Sequence, residues 1–442
     1  MTRTTKSCAL RWSRWRIVVG FIAAFVALLG WALASAPGSS PDEDFHLASI
    51  WCGAGERPGL CESTGDPETR AIPDAVLAAT CYAYDPEQSA ECALGADGMT
   101  STDRGNFTGL YPPLYFSVAS VFAGADVAAT VLAIRVMNIL VFLGVIAALV
   151  LLGPPRVRVA AVVGTVVTVI PLGAFLIASI NPSSWAISGV VAVTGGLMGA
   201  AWSEGRRRWI MVGLAALGAL IGAGARADSF FFAAGAAVVV LAAAVTVRRS
   251  SVPLAVGAIA VIGLSLPFYL GATQSAATTG GLNGTPPGSL DAYWTIFIKS
   301  VLDIPDLLVG VFGPWSPGRF ATPVSPTVPF LAFAAFAAAI WVGLGATRGR
   351  LAIAAGLAFA AAWAFPLLLV MQTQTTVGEY VQPRYALPLV MVFAMTAMAG
   401  LAARRPLPHL STAQCVVGVV ALGGASAVAM HSTIRRYISG TD

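Results

Sequence analysis

Residues 17–34 read IVVGFIAAFVALLGWALA, a run without a charge or a proline, and this stretch decides the fold class. At about 1.5 Å per helical residue it nearly spans the roughly 30 Å of bilayer hydrocarbon. Arg3, Lys6, Arg11, Arg14 and Arg16 lie before it, and Asp42, Glu43 and Asp44 follow it. Positive charge holds the entering end in the cytoplasm, so the acids are expected on the far side. Ala34-Ser35-Ala36 looks like a signal-peptidase site, but the apolar run is longer than a usual signal core. The residues just after it also carry the richest chemistry, so an uncleaved first helix is expected.

Outward from this helix the same pattern repeats. The 442 residues are 57% hydrophobic and only 11% charged, with mean hydropathy +0.78, whereas soluble domains carry about a quarter charged residues. This is a bilayer composition, and it makes nucleic acid an unsuitable partner despite a formal net charge of +5. Apolar runs place spans near 16–36, 127–152, 159–178, 184–202, 209–226, 229–247, 252–271, 328–346, 351–371, 386–403 and 412–431. The expected fold is therefore an all-α integral membrane protein of about eleven transmembrane helices.

Charge orients it. Every second connection is basic: the N-terminus, Arg156 and Arg158, Arg206 to Arg208, Arg248 and Arg249, Arg348 and Arg350, and Arg404 and Arg405 hold 16 of the 26 Lys and Arg but one acid, Glu204. These connections are expected in the cytoplasm. Eleven crossings put the C-terminus outside, where Arg435 and Arg436 run against the rule. Arg far outnumbers Lys, and Ala and Gly are abundant, which fits a GC-rich bacterium and hence a bacterial plasma membrane.

The chain divides into a cytoplasmic N-terminus and first helix (1–36), an external loop with juxtamembrane helices (37–126), helices two to seven (127–271), a second external loop (272–327), and helices eight to eleven with a tail (328–442). Residues 37–110 contain 13 acids and 3 basic residues, and four of the six cysteines: Cys52, Cys61, Cys81 and Cys92. In an oxidising compartment an even number of cysteines suggests two disulfides, with three pairings open. No close Cys pair with His offers zinc spacing. In the second loop Leu290, Trp294, Phe297 and Val301 share one helix side, which predicts a helix on the membrane surface. Asn106-Phe107-Thr108 and Asn283-Gly284-Thr285 have the form of glycosylation sequons.

Five places could carry chemistry. Ser40-Pro41-Asp42-Glu43-Asp44-Phe45-His46 sets three carboxylates and an imidazole at the outer face. With a helix beginning at Pro41, Asp42 and Glu43 share a face with His46. These residues could supply a general base or hold a divalent cation. Equally, Ser40 and Glu43 form a capping box with acids in the first turn. Tyr111-Pro112-Pro113-Leu114-Tyr115-Phe116 either anchors the chain at headgroup level or frames a cavity with the Asp42 region. Arg135 lies about 12 Å into the second span, where a charge is costly unless paired; Asp228 and Glu379 are its expected partners. Arg226 and Asp228 form either an ion pair or a ligand contact. Before the tenth span, Arg384 and Tyr385 could grip a lipid phosphate or pyrophosphate, or anchor the helix to headgroups.

Taken together, Pro41-Asp42-Glu43 with His46, Pro112-Pro113-Leu114-Tyr115, Asn181-Pro182, and Gln382-Pro383-Arg384-Tyr385 with Pro388 resemble the bacterial membrane family filed as domain of unknown function 2142. The resemblance covers nearly the whole chain, but Pro383 stands where that family usually has Gly. The family is in turn similar to the C-type membrane glycosyltransferases (GT-C). That resemblance implies transfer of a sugar from a polyprenyl-phosphate donor to a cell-envelope glycan, lipid or protein on the extracytoplasmic side. It also implies Asp42, then Glu43, as catalytic base, and substrate contacts from Asp44, His46, Tyr111, Tyr115, Arg135, Arg226, Asp228, Arg384 and Tyr385. No organic cofactor is implied, and the metal question stays open. The rival readings are a transporter or flippase of lipid-linked sugars and a non-catalytic scaffold docking through the cysteine loop.

Overall fold

The computed structural model of the chain describes residues 13–440 except 84, 86, 246–250, 274–289, 316–321, 374, 376, 379–380 and 403–410. The chain is an all-helical membrane protein apart from one small sheet. The described helices are α1 (Arg14–Ala34), α2 (Glu43–Trp51), α3 (Asp74–Ala78), α4 (Leu114–Ala119), α5 (Val127–Leu152), α6 (Pro155–Val169), α7 (Leu172–Ile177) and α8 (Ser183–Trp202). They continue as α9 (Arg206–Ala225), α10 (Ser229–Ala244), α11 (Val252–Gly271), α12 (Leu290–Gly310), α13 (Thr327–Ala346), α14 (Arg350–Thr373), α15 (Pro383–Leu401) and α16 (Thr412–Ser439).

Among the described residues nine helices are long and apolar enough to cross a membrane: α1, α5, α8, α9, α11 and α13 to α16. The other two expected spans fall differently. The run 159–178 is two helices, because Pro171 has no N–H to continue the ladder and α6 ends at Val169. The run 229–247 gives the shorter α10. The surface helix expected to end near Val301 continues through Pro305 to Gly310, with Trp294 exposed and its ring 5.6 Å from that of Phe297.

At the centre stands α8, most of it buried. Its glycines explain the close approach of α9: a Cβ added at Gly189 would lie 2.6 Å from the Gly218 carbonyl oxygen, and one at Gly196 would lie 2.7 Å from the Ala215 nitrogen. Small residues at the contact let helix backbones touch where lipid supplies no hydrophobic drive between helices. This packing fixes the first turn of α8, and with it Asn181, beside the segment that leaves α1.

The loop after α1 is a compact unit. Strands β1 (Glu62–Ser63), β2 (Arg70–Pro73) and β3 (Met99–Thr102) form an antiparallel sheet in that order, with Arg70 opposite Thr102 and Ile72 opposite Thr100. Beneath it Trp51, Ile72, Val76, Tyr115 and Phe116 form an apolar core shared with α5 and α8. Of the three pairings open in the sequence, the structure has Cys52–Cys61 and Cys81–Cys92. The Asn106 side chain is in use: its Nδ2 donates to the Tyr111 carbonyl at 3.0 Å and its Oδ1 accepts from the Tyr111 N–H at 2.7 Å. The second sequon, at 283–285, lies outside the described residues.

The last helix ends at this same unit. Arg436, buried in α16, donates from Nη1 to the Gln88 carbonyl (2.9 Å) and from Nη2 to those of Tyr82 (3.0 Å) and Asp85 (2.8 Å). A cation that conflicts with the orientation rule by count is thus held, through both Nη atoms, by backbone oxygens in the disulfide-bounded segment.

Candidate functional site

The turn between α1 and α2 is held from four sides. Ser40 donates its hydroxyl to the Ile180 carbonyl (3.2 Å), and Asn181 Nδ2 donates to the Pro41 carbonyl (2.9 Å). Tyr82 donates its phenol hydroxyl to the Pro37 carbonyl (2.5 Å), and Arg135 Nη1 donates to the carbonyls of Ala32 (2.8 Å) and Ser35 (2.6 Å). Within this frame Asp42 has φ 59° and ψ 21°, the one non-glycine residue with positive φ among the described residues. A left-handed non-glycine residue costs about 1–3 kcal/mol and persists where its surroundings over-determine it; aspartate tolerates the region better than most. Helix α2 begins at Glu43, later than the start expected at Pro41.

That backbone twist sends three consecutive acids in three directions, each to its own arginine. Asp42 Oδ2 accepts from Arg384 Nη2 at 2.7 Å, Glu43 Oε1 from Arg135 Nη2 at 3.3 Å, and Asp44 Oδ2 from Arg104 Nη2 at 2.8 Å. The expectation of a convergent carboxylate cluster for a cation is corrected here: among the described residues no three His, Cys, Asp or Glu side chains group to hold a metal. The capping-box reading is half present, since Glu43 Oε2 accepts the Ser40 N–H at 2.7 Å. Arg135 also differs from expectation. Its acid is Glu43, Asp228 belongs to Arg226, and Glu379 lies outside the described residues. With Nη2 also on the Ala36 carbonyl (3.0 Å), Arg135 caps the end of α1.

Asp42 and Glu43 consequently differ in kind. Glu43 is fully enclosed with both oxygens engaged, whereas the Asp42 side chain is 45% exposed. Around Asp42 lies a polar cluster from three distant segments. Arg226 grips Asp228 with Nε (2.9 Å) and Nη2 (2.6 Å) and reaches Ser183 Oγ with Nη1 (3.3 Å). The Tyr385 ring lies beneath both guanidinium groups, 5.0 Å from that of Arg226 and 5.4 Å from that of Arg384. Arg384 is buried in the first turn of α15, and its Nε and Nη1 make no hydrogen bond. Buried donors without partners are costly in a finished protein and mark a place for an acceptor from outside.

The remaining expected site residues divide. His46 and Tyr111 belong to the cluster's wall: the imidazole is ringed by Phe45, Tyr111 and Phe116 at 5.6–5.9 Å. Burial drives its pKa from 6.5 down to about 3, so it stays neutral at physiological pH. Burial likewise pushes the Tyr111 phenol up to about 12. Tyr115 faces inward, its hydroxyl accepting from Asn138 Nδ2 (3.2 Å) and its ring against Trp185. Asp44 is held by Arg104. Sequence reasoning missed Arg104, Ser183 and the Arg436 socket as parts of this architecture. Asn181 was visible in its motif, but its bond to Pro41 was not.

Residues 25–393 match the family described as predicted membrane protein DUF2142. The chain belongs to this family. The segment shared with DUF2142 proteins contains all four of these acid–arginine pairs and Tyr385. None of the curated proteins matches the chain. Among solved structures, this DUF2142 protein is similar to the Archaeoglobus fulgidus oligosaccharyltransferase in its apo form, with 13% identity and a TM-score of 0.45 over 98% of this chain. The chain spans 57% of that protein's length.

Proposed function

We propose that this DUF2142 protein is a membrane glycosyltransferase that moves a sugar from a polyprenyl-phosphate donor to a cell-envelope acceptor on the extracytoplasmic side of the bacterial plasma membrane. The observation that carries the reading is the pairing of an accessible carboxylate, Asp42, with a buried guanidinium that retains unpartnered donors, Arg384. Asp42 takes the proton of the acceptor hydroxyl as its oxygen attacks the anomeric carbon. The bond from that carbon to the phosphate oxygen breaks, and the phosphate keeps the electron pair. Arg384 stabilises the charge that develops there, with Arg226 and Tyr385 shaping the wall around it. Glu43, the second candidate base, instead serves to hold the turn, because its oxygens are already spent.

A transporter or flippase is less well supported, because Arg135, the arginine deepest in a span, is tied to three carbonyls and Glu43 and is not free to pass a phosphate on. The test is genetic and chemical: Asp42→Asn and Arg384→Gln proteins that insert at wild-type levels should each abolish one envelope glycoconjugate. Normal glycoconjugate in both strains would remove the enzymatic reading. A reporter fused near Cys61 that lights only in the cytosol would place the site on the wrong side of the membrane.

A further inference from the structure

The loop unit holds a cavity of its own, about 370 Å³ in volume, lined by none of the residues of the Asp42–Arg384 cluster. It lies between the turn that ends α2, the start of α4 and the segment 106–107. Two glycines let its walls close up. A Cβ at Gly53 would lie 2.6 Å from the Phe116 carbonyl oxygen, and one at Gly105 would collide with the Phe107 ring. The Cys52–Cys61 disulfide closes the loop that carries Glu56, and the Arg70 guanidinium lies 5.6 Å from the centre of the Phe107 ring. Cavities of about 300–1,000 Å³ that join aromatic walls to a few polar groups are the usual form of a small-molecule site.

The polar groups of this cavity are unspent. Arg70 is fixed through Nη1, which donates to the carbonyls of Asp66 (3.0 Å), Pro67 (3.2 Å) and Thr69 (2.6 Å). Among the described residues its Nε and Nη2 make no hydrogen bond, and Glu56 and the Ser117 hydroxyl have no partner, although all three side chains line the same space. An acid and a guanidinium that share a cavity without pairing sum to zero charge. An anion there is repelled by Glu56 and a cation by Arg70. A peptide end brings a single charge, which one of the two repels. A hydroxyl, in contrast, donates to a carboxylate and accepts from a guanidinium. A neutral molecule with hydroxyls all round, and apolar C–H faces for Phe107, Pro113 and Phe116, satisfies every group at once.

We infer that this cavity is a saccharide-binding subsite, and that the acceptor is a neutral glycan seated there while its growing end lies at Asp42. The acceptor role rests on the glycosyltransferase reading above; the binding of a saccharide does not. The two places share a wall. Phe116 lines the cavity and its ring stands 5.9 Å from that of His46, while Asn106 lines the cavity and holds the Tyr111 backbone through two hydrogen bonds. Ser49, also on the lining, follows Glu43 by six residues in α2, about 9 Å of helix rise. A glycan of a few units covers that distance. Recognition is thus remote from the reacting hydroxyl: the cavity sets which acceptor binds, and Asp42 acts only on its end.

The full-length protein in nanodiscs would be passed over an array of bacterial envelope oligosaccharides, neutral and acidic, with envelope peptides spotted beside them. Wild type should retain a neutral glycan at least ten-fold over any acidic glycan or peptide. Glu56→Gln removes the charge of an exposed side chain, and Ser117→Trp fills the cavity from an exposed position; each should weaken that binding at least ten-fold. Glu91→Gln, which removes an acid of the same unit away from the cavity, should change it less than two-fold. With the retained glycan as acceptor, both cavity variants should raise KM and leave kcat within two-fold. In Asp42→Asn cells the same glycan should accumulate unextended. Preference for acidic glycans or peptides, no retained neutral glycan, or unchanged binding by both cavity variants would overturn the subsite, while loss of a glycoconjugate in Asp42→Asn cells would still uphold sugar transfer. Glycan binding that depends on Glu56 and Ser117, with normal glycoconjugate in Asp42→Asn and Arg384→Gln cells, would leave the saccharide site standing and remove the acceptor role together with the transfer reading.

Discussion

Asp42 and Arg384 are 342 residues apart in sequence and 2.7 Å apart in space. The pair joins the turn after the first membrane helix to the first turn of α15, so the site closes only when nearly the whole chain has folded.

Replacing Asp42 by Asn should abolish sugar transfer, by at least about a hundred-fold as expected for loss of a general base, while leaving the fold intact. Asn tolerates the left-handed backbone and can still accept from Arg384. The pair is half-exposed on its acid side, so its loss should cost no more than about 1 kcal/mol. Transfer assays alongside thermal unfolding would check this; unfolding with the loss of activity would instead make Asp42 structural.

The Glu43–Arg135 pair should behave in the opposite way. Both side chains are almost fully enclosed, and removal of one partner from a buried pair typically costs about 3–5 kcal/mol. Arg135→Ala should therefore lower protein levels and the unfolding midpoint sharply, whatever the substrate. Glu43→Gln should be milder, since Arg135 keeps its three backbone carbonyls and the amide oxygen can still accept one of the two N–H groups that the carboxylate accepts. An Arg135→Ala protein of normal stability would contradict the capping role.

His46 predicts a pH dependence. Its pKa is near 6.5 in the unfolded chain and lowered to about 3 when folded, so between these values the unfolded state binds more protons. Stability from this residue is full above pH 6.5 and is lost as pH falls towards 3, by up to about 1.4 kcal/mol per pH unit. Unfolding midpoints from pH 7 to 4 should fall more steeply in wild type than in His46→Phe; parallel curves would exclude His46 as the cause.

Arg436 should anchor the C-terminus to the cysteine-bearing unit. Arg436→Ala leaves the carbonyls of Tyr82, Asp85 and Gln88 without their shared donor and should destabilise by about 1.5–3 kcal/mol, the range for hydrogen bonds to a charged group. Protease accessibility of the 81–92 segment should rise in the variant. The same cleavage pattern as wild type would show that the socket is dispensable.

The sequence alone determined the class of solvent this protein folds in and the positions of nine of its eleven expected spans. Runs such as 17–34 and 127–152 have one physical outcome in a bilayer, since an unpaired backbone in hydrocarbon is prohibitive. It also drew attention to the residues that matter, because charges such as Asp42, Arg135 and Arg384 are expensive near lipid and are kept for a reason. What it could not supply was who pairs with whom. Helical spacing relates residues three or four apart, and by that measure Asp42, Glu43 and Asp44 look like a single cluster. Only the tertiary structure, with the turn twisted at Asp42 and α8 seated against α9 through Gly189 and Gly218, separates them onto Arg384, Arg135 and Arg104. The disulfide pairing and the burial of Arg436 were undecidable for the same reason. The disulfides join cysteines only 9 and 11 residues apart, but which pairs form is set by how the loop folds, and Arg436 reaches carbonyls about 350 residues away; neither follows from a helical period.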